Sequence, residues 1–136
     1  YVQARVGGKG YNSDAVLQGY YGYVSYFLSD DHRNYKAKTG AWDRVKPSRN
    51  FDMKGGWGAW EVAAGYDYLD LTDGIVNGGR AETAKFALNW YPNSHVRLMA
   101  NYVHVLDINT NSMSARSAAF TGKNPDIFEM RAQVDW

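Results

Sequence analysis

The chain has 136 residues, a formal net charge of +1 and no cysteine. This excludes a disulfide scaffold, a thiolate metal site and any global electrostatic pull toward nucleic acid. No run approaches the roughly 18 apolar residues of a membrane helix, and mean hydropathy is −0.53. A membrane helix is thus excluded, but a barrel, whose strands are only half apolar, is not.

Eleven Tyr, five Trp and 14 Gly favour strands and turns over helices. Nothing at Tyr1 resembles a signal peptide and there is no initiator Met, so the sequence reads as a mature product or a piece of one. Tyr1 to Gly8 alternates weakly, with Val2, Ala4 and Val6 opposite Gln3 and Arg5, and predicts a first strand. A polar loop follows over Lys9 to Asp14. Ala15 to Leu28 is aromatic on both faces, as in a strand covered on both sides, for example at a subunit contact.

Ser29 to Gly56 is the longest and least regular connection. Between Arg33 and Arg49 it holds six basic residues (Arg33, Lys36, Lys38, Arg44, Lys46, Arg49) against one acid, Asp43. The bland alternative to a functional patch is a solvated loop.

Trp57 to Leu71 alternates, with Trp60, Val62, Ala64, Tyr66 and Tyr68 against Glu61, Ala63, Gly65 and Asp67. Aromatics near both ends match the girdles of a membrane barrel. Asp73-Gly74 and Asn77-Gly78-Gly79 predict a turn over Thr72 to Gly79. Arg80 to Tyr91 sets Ala84, Phe86, Leu88 and Trp90 opposite Thr83, Lys85, Ala87 and Asn89. After a tight turn at Pro92-Asn93-Ser94, His95 to Ile108 places Val96, Leu98, Ala100 and Tyr102 opposite Arg97 and Asn101. A polar loop, Asn109 to Pro125, leads to the terminal strand.

That last strand, Asp126 to Trp136, puts Phe128, Met130, Ala132, Val134 and Trp136 on one face and Glu129, Arg131, Gln133 and Asp135 on the other. Its length suits a tilted strand crossing a bilayer, about 9–11 residues. Alone it reads equally well as an edge strand of a soluble sheet. The same pattern upstream decides for an all-β, antiparallel transmembrane β-barrel contributing about six strands. Bacterial barrels need at least about eight, and an open edge in lipid leaves backbone groups unpaired. Residues 1–136 are therefore expected to be either a carboxyl-terminal fragment of a larger barrel or one strand set of a larger assembly. Short turns face the periplasm, and strand parity puts the basic connection there.

Catalytic and metal motifs find no support. Gly7-Gly8-Lys9-Gly10 lacks the spacing of a phosphate loop, Gly55-Gly56-Trp57-Gly58 opens a strand, and His32, His95 and His104 lack ligand spacing. No nucleophile motif is present, so no enzyme activity, cofactor or metal is expected. Glu61 and Asp67 share a strand face, as carboxylates lining a lumen commonly do.

Several phrases carry a resemblance: Tyr26-Phe-Leu28, Val45-Lys-Pro47, Gly58-Ala-Trp-Glu-Val-Ala-Ala64, Tyr68-Leu-Asp-Leu71, Leu88-Asn-Trp-Tyr91, Val96-Arg-Leu-Met99, Asn101-Tyr-Val-His-Val105 and Arg131-Ala-Gln-Val-Asp-Trp136. In this order and spacing the chain, from roughly residue 20 onward, resembles the carboxyl-terminal third of the phosphate-selective porin O and P family. The resemblance implies a sixteen-stranded barrel in the bacterial outer membrane. It implies a homotrimer surrounded by lipid, passing small anions such as phosphate or polyphosphate past arginines at the mouth and lysines deeper in. Arg97 and Arg131 sit in family phrases and would face the lumen, and Lys46 falls in another; Lys85 is placed there by alternation alone. Gly65 stands where many relatives carry Arg, and Trp136 replaces the commoner Phe.

The function expected is passive diffusion of small anions through a water-filled channel, with Arg5, Lys85, Arg97 and Arg131 along the pathway. Two alternatives remain. One is a porin without anion preference, since those four cations nearly balance Glu61, Asp67, Glu129 and Asp135. The other is a soluble β-sheet module binding carbohydrate through exposed Tyr and Trp.

Overall fold

The computed structural model describes residues 1–7, 14–74, 76–110 and 118–136. Its elements are β1 (Val2–Val6), β2 (Ala15–Phe27), β3 (Tyr35–Lys36), β4 (Ala41–Trp42), β5 (Ala59–Asp73), β6 (Val76–Asn93), β7 (Val96–Asn109) and β8 (Asp126–Val134). Among the described residues, six strands form one sheet in the order β1-β2-β5-β6-β7-β8, with β1 and β8 at its edges. β3 and β4 make a separate antiparallel pair within the long connection. Sequential strands are thus neighbours, the meander that short connections between antiparallel strands produce.

The chain divides into two compact units. The first comprises Tyr1–Tyr23, Gly65–Lys85 and Val103–Ile127. Here β1 pairs antiparallel with the start of β2, from Val2 opposite Gly19 to Val6 opposite Ala15. Tyr20 stacks on Tyr68 with ring centroids 4.8 Å apart, and the Val16 amide donates to Asp73 at 2.6 Å.

One sequence expectation fails in this unit. The turn predicted over Thr72 to Gly79 is far shorter: β5 runs to Asp73, Gly74 takes the turn with φ 53°, and Gly78 and Gly79 lie inside β6. These two glycines mark close backbone approach rather than a reversal. A Cβ on Gly78 would meet Leu71, and one on Gly79 (φ 87°) would collide with the Asn109 carbonyl. The loop expected over Lys9 to Asp14 lies largely outside the described residues, as do residues 111–117 of the loop expected over Asn109 to Pro125.

The second unit comprises Val24–Ala64, Phe86–Tyr102 and Phe128–Trp136. Its packing is inverted relative to a soluble sheet. The buried side chains include Glu61 (0% exposed) and Asn89 (5%), whereas Phe86 (55%) and Met130 (78%) stand in the open. Leu88, Leu98, Tyr102, Phe128 and Val134 are exposed as well. Trp90, partly covered, stacks on Trp60 at 5.4 Å and meets the edge of Phe51 at 5.3 Å. A small apolar cluster of Val45, Ala59 and Tyr91, with Phe27 against it, joins the long connection to the sheet.

Candidate functional site

Glu61 organises the second unit. Period-two alternation turns Glu61 of β5, Asn89 and Tyr91 of β6 and Arg97 of β7 away from the exposed aromatics. The Glu61 carboxylate accepts two bonds from Arg33, at 3.1 and 2.8 Å, one from the Asn89 amide at 3.1 Å and one from the Tyr91 hydroxyl at 2.8 Å. A carboxylate removed from water is tolerated only with such a full set of donors.

Arg33 reaches Glu61 because the connection doubles back onto the sheet. Three fastenings hold it: the Arg33–Glu61 pair, the Val45 contact with Tyr91 and Ala59, and Phe51, whose amide donates to the Pro92 carbonyl at 2.8 Å. Between them lies a cavity of about 360 Å³ whose wall carries Arg33, Arg44, His95 and Arg97 together with Asp43 and Asp135.

The expected site cations separate by partner. Lys85 is neutralised by Asp67 at 2.7 Å, which also accepts from Thr83. Lys36 pairs with Asp43 at 2.9 Å and Arg49 with Asp52 at 3.2 Å. The Lys36 ammonium, followed by the Arg44 amide, holds the Asp43 carboxyl below the usual carboxylate range. Backbone amides of Gly56 and Lys54, more than Arg49, do the same for Asp52.

Arg97 is different. Its guanidinium lies 5.2 Å from the Tyr91 ring centre and donates to Asn89 at 3.3 Å, while its Nε is buried without a hydrogen-bond partner. Arg44 gives only its backbone amide to Asp43, leaving its side chain exposed at the cavity. Lys38 at the β3–β4 turn, Lys46, Arg5 on β1 and Arg131 on β8 are exposed and form no ion pair among the described residues. Asn89 and Tyr91 were not singled out by the sequence, since nothing in one strand announces which polar groups a distant loop will meet. Among the described residues no cluster of His, Cys, Asp or Glu could hold a metal.

Comparison with known proteins places this arrangement. A family model described as "Phosphate-selective porin O and P" matches residues 1–136.

The chain belongs to that porin family.

The match includes β1, beyond the stretch over which the sequence phrases carried the resemblance. Among curated proteins the porin is 32% identical over 99 residues to "Porin O" of Pseudomonas aeruginosa, covering 66% of this chain and 22% of the relative. It is 40% identical over 84 residues to an uncharacterized protein of Caulobacter vibrioides, covering 62% of this chain and 16% of the relative. The chain therefore spans under a quarter of the curated relatives it matches. No solved structure matches it.

Proposed function

We propose that the chain is a strand set of an outer-membrane channel through which small anions, phosphate among them, diffuse passively. The observation that carries this reading is the inverted sheet of the second unit. Its aromatic and aliphatic side is exposed as a lipid-facing wall requires, and its polar side is occupied by hydrogen-bonded charge. Completion into a sixteen-stranded barrel and assembly as a homotrimer belong to the same proposal and are supported by family membership.

On the polar side, Arg44 and Arg97 at the cavity, with Lys38 and Lys46 on the connection, provide the field. Guanidinium groups suit phosphate because their N–H pairs match its oxygens. Several weak cationic sites concentrate the anion while letting it leave. In the full-length protein reconstituted in planar bilayers, Lys38→Gln, Arg44→Gln and Lys46→Gln together should move the reversal potential in a salt gradient toward cations, most strongly at low salt. Unchanged selectivity would remove the connection from the pathway.

A second reading, a porin without anion preference, is favoured by the four acids that neutralise Arg33, Lys36, Arg49 and Lys85. It predicts a reversal potential near zero in the natural protein.

A further inference from the structure

We propose that Glu61 is a positioning residue of this anion path. By binding Arg33 it fastens the connection over residues 29–58 to the polar side of the sheet and, separately, its charge offsets one of the arginines that the permeating ion meets. The inference rests on the channel reading above and goes beyond it by assigning selectivity to a buried acid.

Three observations carry it. Glu61 has no exposed surface, yet it is ionically paired with a half-exposed Arg33 located 28 residues earlier. The bond is two-pronged, a geometry that fixes orientation as well as distance. Two further Glu61 contacts, Asn89 and Tyr91, are the same two residues that hold Arg97: Asn89 accepts from its guanidinium and Tyr91 lies under it. Glu61 thus shares neighbours with both arginines but pairs with only one. Arg33 is turned inward and balanced, whereas Arg97 has no carboxylate within ion-pair distance among the described residues. With Arg44 it faces the cavity of about 360 Å³. One buried carboxylate thereby contributes both to the anchorage of the connection and to the charge at the cavity, whose wall also carries Asp43 and Asp135.

The test uses the full-length protein in planar bilayers. Glu61→Gln keeps the size of the side chain and removes its charge, so anion-over-cation permeability should rise severalfold at about 0.01 M salt, where the screening length is about 30 Å, and little at 1 M, where it is about 3 Å. Combining it with Arg33→Gln restores the charge balance and should return selectivity to the natural value, which a purely packing role would not produce. Natural selectivity in the single variant, or no return in the double, overturns the proposal.

If Glu61→Gln does not fold, Arg33→Lys tests the anchorage. It preserves both charges and loses the two-pronged bond, so selectivity should hold while trypsin cuts the connection faster. Equal cleavage rates overturn the anchorage. Absence of anion preference in the unmodified protein would instead sink the anion-channel reading in favour of a porin without preference, a failure visible before any variant is made.

Discussion

Arg33 and Arg49 lie in the same basic run, but the structure gives them unequal energetic roles. Arg33→Ala leaves the Glu61 carboxylate buried with uncharged donors such as Asn89, Tyr91 and Ser25 and no cation. Breaking a buried pair from one side costs about 3–5 kcal/mol. Arg49→Ala breaks a solvent-screened, exposed pair with Asp52 and should cost far less. Urea unfolding of the two variants in detergent micelles should show this difference, and equal midpoints would mean that Glu61 is solvated. The sequence separated Lys85 and Arg97 from the apolar residues of their own strands, because alternation within β6 and β7 needs no tertiary information. Their unequal status was not legible. Asp67 reaches Lys85 from another strand, and Arg33 reaches Glu61 from a loop, so both depend on register and chain return.

At the scale of elements, the strand centres were readable from alternation and their ends were not. Glycine has two structural meanings, and Asn77-Gly78-Gly79 looked like a turn while serving as a place where backbones approach. The distinction is measurable. Gly79→Ala meets both a positive φ and the Asn109 carbonyl, whereas Gly40 has φ 63° and open space around it. Gly40→Ala should cost about 1–2 kcal/mol, the penalty of a left-handed residue alone, and Gly79→Ala clearly more in the same unfolding assay.

The β3–β4 pair, invisible in the irregular sequence between Ser29 and Gly56, is held by Lys36–Asp43 and by Tyr35 packed edgewise on Trp42 at 5.2 Å. Because the Asp43 carboxyl titrates below its ordinary range in the folded pair, the folded pair binds fewer protons than the unfolded chain near pH 4. Its contribution is complete above the ordinary carboxylate value of about 3.9. That contribution is lost as pH falls through the lowered value. Amide chemical shifts of Tyr35–Lys36 and Ala41–Trp42 should stay constant from pH 8 to 5 and move only below about 4. Movement already near pH 6 would implicate another group.

At the scale of the whole molecule, the exposed aromatic side and the hydrogen-bonded polar side of the second unit support the proposal of a porin wall whose cations are sorted by buried and exposed acids. The all-β antiparallel sheet was legible because turn-forming residues separate the alternating runs. The return of the long connection to the sheet was not, since its anchors (Arg33, Val45 and Phe51) share no periodic spacing. The most direct test is the reversal potential of the full-length protein in a planar bilayer under a tenfold gradient of potassium chloride at low ionic strength. The account predicts a potential of the sign set by chloride, reduced when Arg97 is replaced by Gln. A potential of the sign set by potassium, or no conductance at all, would contradict it.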